Sequence, residues 1–257
     1  MASDVSKKTL FLVTDVTHMR GDKVCILGVN DQFETIRPEL PPPGIFLRHL
    51  KIKNGVICPR SVLHIHFKPP HKKHPPHIED MDWDIEADTE FLRMTSEANW
   101  RNALEKTCFG SVQDIFGTTI HSKRIITPPH GLRSVGTIRV KSFQYFRYEI
   151  VERRDGTKEA YRLGFRDESG EDYAELNITD LNFRYYFHHL LNTHSAHDAS
   201  QIIETYLKKT GGYVRIGLTR PWEGRLWLQV NGIYTFPDYA NGMCFMDYKQ
   251  AGICLPD

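Results

Sequence analysis

The tetrapeptide Arg154-Asp155-Gly156-Thr157 constrains this chain more than any other feature. It lies between two β-rich runs, "VGTIRVKSFQYFRYEIVERR" and "KEAYRLGFR", and Asp-Gly in that setting is among the strongest signals for a tight antiparallel hairpin. A second turn, "DESGED", leads into "YAELNI", so three strands form a meander. Asp180 then stands where an N-cap would start the helix "LNFRYYFHHLL". A second helix, "ASQIIETYLKK", sets Ile202, Ile203, Tyr206 and Leu207 on one face before Gly211-Gly212 ends it. Two more strands, "YVRIGL" and "RLWLQVNGIYTF", close the list. Three strands, a helical insertion and two strands is the order of an OB-fold, a five-stranded Greek-key barrel.

The first third is also β-rich. "TLFLVTDVT" and "KVCILGV" are separated by the breaker Arg20-Gly21-Asp22, and "VLHIHF" follows the proline-rich "PELPPPG". The segment "KPPHKKHPPH" is irregular, because paired prolines remove donors and fix φ. After it, "EDMDWDIEADTE" reads as a solvated acidic loop or one resting against a basic neighbour. "SEANWRNALEKTCFGSVQDIFG" is helical, with Ser96 as its cap. The expected fold is mainly β with inserted helices, as two OB-like small β-barrels. Residues 1–78 form the first barrel and 79–133 an acidic and helical connection. Residues 134–257 form the second barrel, with helices between its third and fourth strands.

A chain of 257 residues buries a real core in either one or two domains. No run approaches the ~20 apolar residues of a membrane helix, and the start shows no secretory signal pattern. Five scattered cysteines without a CxxC pair match reduced thiols of a cytoplasmic protein. The net charge of +1 hides blocks: residues 1–78 carry 12 Lys/Arg against 6 Asp/Glu, whereas 79–105 carry 2 against 9. Residues 106–154 return to 9 against 3. Such blocks are compatible with basic faces that attract a polyanion, and equally with solvated surface charge.

The run "YRLGFRDESGEDYAELNITDLNF", followed by "VRIGLTRPW" and "LWLQVNGIYTFPDY", resembles the bacterial dual-OB domain family. Its members are stand-alone proteins with two successive OB-like barrels, found around prokaryotic defence and mobile-element loci. The resemblance is strongest from Ser134 to Tyr239 and weak before Pro59. It implies nucleic-acid association and supplies no catalytic residues.

OB barrels bind single strands by stacking bases on aromatic rings and steering the backbone with Lys and Arg. Period-two alternation puts Lys141, Phe143, Tyr145 and Arg147 on one strand face. In the later strands, Tyr213 and Arg215 face away from Val214, Ile216 and Leu218. Arg225, Trp227, Gln229 and Asn231 face away from Leu226, Leu228 and Val230. Arg220 and Trp222 join them as loop contacts. An outer face packed against a second barrel would carry the same residues, since Arg and Lys stems cover apolar surface well.

His64 and His66 share a strand face and, with His71, are the metal-ligand candidates. A proline-lysine loop is a poor scaffold for a rigid site, so the expectation is no metal and no cofactor. The acidic run lacks the glycine and terminal glutamate of an EF-hand. No P-loop or nucleophile-elbow pattern is present. The expected function is sequence-tolerant binding of single-stranded DNA or RNA by a non-catalytic cytoplasmic accessory of a bacterial defence or mobile-element system. Its other partners would be proteins of a defence complex, with no membrane involved. Two alternatives stay open. One is a metal-dependent nuclease or phosphodiesterase using His64 and His66, and the other is an adaptor that docks a protein on the aromatic face.

Overall fold

In a computed structural model, which describes residues 6–70, 74–153 and 156–256, 44% of the protein is strand and 21% helix, arranged as two closed five-stranded barrels. The first barrel is built from β1 (Lys7–His18), β2 (Val24–Val29), β3 (Thr35–Glu39), β4 (Ser61–Lys68) and β5 (Asp80–Trp83). A sixth strand, β6 (Glu90–Met94), lies along the edge of β4. The second barrel is built from β7 (Val135–Arg153), β8 (Gly156–Asp167), β9 (Asp172–Ile178), β10 (Gly212–Leu218) and β11 (Leu226–Tyr234).

Both barrels share one topology. In the first, the order β1-β2-β3-β5-β4 closes through pairing of β1 with β4, and β3 runs parallel to β5. In the second, β7-β8-β9-β11-β10 closes through β7 with β10, and β9 runs parallel to β11. This is the connectivity of OB-like barrels. Arg154 and Asp155 of the predicted turn lie outside the described residues. The strands beside them pair antiparallel from Arg153 opposite Gly156.

Among the described residues five α-helices accompany the barrels: α1 (Glu97–Lys106), α2 (Val112–Phe116), α3 (Leu181–Leu191), α4 (Ala196–Thr210) and α5 (Phe245–Gln250). Ser96 caps α1 by accepting from the Asn99 N–H, and Asp180 caps α3 by accepting from the Phe183 N–H. Helix α3 has two apolar stripes at i, i+4 spacing. Phe183 and Phe187 enter the core of the second barrel, while Leu181 and Tyr185 enter that of the first. One helix therefore serves both cores.

Two boundaries differ from the sequence reading. The first barrel does not end at residue 78, because Asp80–Trp83 supplies its fifth strand, between β3 and β4. Trp83 is in the core and Asp80 is buried beside Arg37, so a run that reads as acidic loop is a strand with a paired charge. The segment after Tyr239 serves the first barrel too: Phe245, Tyr248 and Ile253 pack into that barrel's core. All five cysteines are thiols. Among the described residues, no helix is long and apolar enough to cross a membrane.

Candidate functional site

The aromatic and basic face expected along β7 does not form one surface. Two irregularities interrupt its register with β8, at Lys141 and at Gln144. A bulge inserts one residue into a strand and re-aims the side chains that follow. As a result Phe143 and Phe146 both point inward, and Phe143 is 4% exposed within the core. Tyr145 lies across Gly164, its register partner. Its hydroxyl donates to Glu175 Oε1 at 2.8 Å and accepts from the Glu175 N–H at 2.7 Å. Arg147 is exposed but paired with Glu175 at 2.5 Å, and Lys141 is exposed.

The other predicted residues divide between barrel contact and free surface. Arg215 is fully buried and paired with Asp15 of the first barrel, so the packing alternative holds at this position. Tyr213 is buried against Trp100 and Leu104 of α1. Its hydroxyl accepts from Arg139 at 2.9 Å and donates to Glu105 at 2.8 Å. Trp222 and Arg225 are exposed on the turn between β10 and β11, and half-buried Trp227 has its ring 6.4 Å from that of Trp222. Arg220, on the same turn, reaches Asp80 and Glu39 of the first barrel.

The histidine candidates do not converge. His64 Nδ1 is 3.2 Å from Glu90 Oε2, and His66 Nδ1 is 3.5 Å from Ser6 Oγ. His71 lies outside the described residues. Among the described residues, no group of three or more His, Cys, Asp or Glu is placed to hold a metal ion.

What the two barrels do share is a cleft of about 1020 Å³ between them. From the first barrel it takes the β1–β2 turn, with Arg20 and Lys23, and strands β2 and β3, with Arg37 and Glu39. The second barrel contributes the start of β8, the end of β9, and Arg220 after β10. The face of strands 2 and 3, with the loops after strands 1 and 4, is the part of an OB barrel that carries ligands. Here strands 2 and 3 and the first loop of the first barrel face the same space as strand 2, the end of strand 3 and the loop after strand 4 of the second.

The cleft walls are held by a dense polar network. Arg37 donates to His77 Nδ1 at 3.0 Å and to Ser134 Oγ, and it lies 3.3 Å from Asp80. Ser134 in turn donates its N–H to Glu79 at 2.7 Å. Arg184 donates to the Ile178 carbonyl and, at 2.9 Å, to His18 Nδ1, with its guanidinium over the Tyr161 ring. Burial, then the Arg184 charge, hold His18 down at about 4. Burial, then Arg37 and Arg220, hold His77 at about 3. Both imidazoles are neutral acceptors for guanidinium groups near neutral pH.

The cleft is electropositive. Six of its lining residues are Arg or Lys, against Glu39 and Glu159. Glu39 is paired with Arg220. Glu159 accepts from the hydroxyls of Tyr148 and Tyr161 and from His188 Nε2 at 2.9 Å. Burial raises the Glu159 carboxyl, but those three donors outweigh it and leave the group below its ordinary value. Arg220 and Arg37 are thus offset by Glu39 and Asp80, and Arg20, Lys23 and Arg184 carry positive charge toward the space between the barrels.

No protein-family model matches this sequence, and no match is found among curated proteins. The functional reading stands on the geometry. Sequence reasoning named Arg220 from this cleft and missed Arg20, Lys23, Arg37 and Arg184. The signal available was topological: once the first barrel has OB order, "HMRGDK" supplies its first loop.

Proposed function

We propose that this chain binds single-stranded DNA or RNA in the cleft between its two barrels, without catalysing a reaction. The observation that carries the reading is the convergence of both OB ligand faces on one cation-rich cleft. Lys and Arg on the rim draw the phosphates, and the exposed ring of Trp222 offers a stacking platform beside the mouth. The proposed setting is the cytoplasm of a bacterium, as an accessory within a defence or mobile-element complex. That setting follows from the resemblance to dual-OB proteins, and the paired barrels agree with it.

Fluorescence anisotropy with labelled single-stranded DNA, single-stranded RNA and duplex, titrated with salt, tests the reading. Single strands bind, and log K falls linearly with log salt by about 0.7 per phosphate neutralised. Replacing Arg20 and Lys23 with Ala lowers that slope by about 1.4, the share of two phosphate contacts. Absence of binding at low salt, or a slope unmoved by the double variant, overturns it.

A further inference from the structure

The floor of the cleft is neutral. Asn177 on β9 and Gln229 on β11 are register partners on neighbouring parallel strands, and both side chains line the cleft. Thr179 and Asn231 continue the same faces two residues on, and both also line it. Strand neighbours sit about 4.8 Å apart, so the four side chains form a ladder of uncharged donors and acceptors beneath a cationic rim. Asn231 is partly committed, with its Oδ1 3.4 Å from Thr179 Oγ1. The amides of Asn177 and Gln229 are half-buried and make no hydrogen bond among the described residues.

Among the charged and amide side chains that read base edges, Arg or Lys pairs with guanine, Asp or Glu accepts from cytosine, and Asn or Gln pairs bidentately with adenine. In this cleft the first two classes are spent near the floor. Arg37 and Arg184 are held by His77, Ser134, His18 and the Ile178 carbonyl. Glu39 is held by Arg220, and Glu159 has three donors. The amide class alone stands open beside them.

From this we infer that the cleft reads bases and favours adenine, through Asn177 and Gln229. The inference rests on the single-strand reading above and narrows it from sequence-tolerant to base-selective. Phosphates lie on the rim cations while an adenine edge meets the two amides, each of which can donate from its NH2 and accept on its carbonyl oxygen at once.

Anisotropy with labelled dA12, dC12 and dT12 at fixed salt tests it. The wild-type protein binds dA12 about tenfold more tightly than dT12. Asn177→Ala with Gln229→Ala abolishes that preference and keeps the salt slope, because the phosphate contacts are untouched. Gln229→Glu, similar in size, shifts preference toward dC12, since a carboxylate accepts from the cytosine amino group. Circular dichroism and a thermal melt establish that each variant is folded. Equal affinity for the three strands, or a preference that survives the double variant, overturns the inference and leaves single-strand binding standing. Failure of every strand to bind at low salt overturns both.

Discussion

Arg215 and Asp15, 200 positions apart in the chain, form an ion pair whose two side chains are wholly inaccessible to solvent, with Nε 2.9 Å from Oδ2. Arg215 also donates to Thr137 at 2.9 Å, and Asp15 accepts from Thr14 at 2.9 Å. The pair joins β10 of one barrel to β1 of the other. Breaking a buried pair from one side strands a charge, which costs about 3–5 kcal/mol, whereas replacing both partners with apolar groups costs far less. Arg215→Met or Asp15→Leu alone therefore lowers stability by that amount in urea denaturation. The double variant recovers most of the loss, and two losses that simply add would contradict the pairing.

Phe143 and Trp222 separate packing from binding. Truncating Phe143 to Ala empties part of a closed core and costs about 3–5 kcal/mol. Trp222 is 59% exposed, and Trp222→Ala stays within about 0.5 kcal/mol of wild-type stability. The same change weakens single-strand binding by about 1–3 kcal/mol, the share of one stacked base. Parallel urea melts and anisotropy titrations distinguish the two residues. A Trp222 variant with intact affinity would remove the stacking platform from the proposal.

Gly164 has no room for a side chain. A Cβ there would lie 2.3 Å from Tyr145 Cε1, so Gly164→Ala displaces the ring and breaks its two bonds to Glu175. The cost is about 1–3 kcal/mol. In a Tyr145→Ala background the clash is gone, and Gly164→Ala then costs little. A double-mutant cycle by urea denaturation measures the coupling. Additive effects would mean that Tyr145 does not cover Gly164.

The fold was legible because its punctuation was local. Asp-Gly, the Ser96 and Asp180 caps and the alternating strands each announce themselves within a few residues. The fifth strand, Asp80–Trp83, did not, because the Asp80 carboxylate is tolerable only beside Arg37 and Arg220, which come from distant parts of the chain. Alternation failed along β7 for a related reason. Bulges at Lys141 and Gln144 leave no mark in composition, yet they turn Phe143 into the core beside Phe146. Arg215 read as surface because its partner lies in the other barrel. The cleft itself was illegible as a site, since its residues come from seven strands, the turns beside them and helix α3, and meet only when two barrels dock.

The buried titratable groups make stability depend on pH in opposite directions. His18 is held at about 4 by burial and Arg184, against 6.5 when solvated. Between those values the unfolded chain binds the extra proton, so this contribution grows as pH rises from about 4 to 6.5. Asp180 is the reverse. Burial, only partly offset by the Phe183 and Ile233 N–H groups, lifts its carboxyl from 3.8 to about 7. The folded state then holds the extra proton, and this contribution is present below pH 3.8 and is lost as pH rises to about 7. Each group bends the curve by at most about 1.4 kcal/mol per pH unit. Urea denaturation from pH 4.5 to 7.5 therefore shows a flatter rise toward pH 6.5 in His18→Gln and a steeper one in Asp180→Asn. A change of the opposite sign in His18→Gln would mean that His18 is charged throughout that range in the folded protein, and an unchanged slope in Asp180→Asn would mean that Asp180 is ionised throughout it.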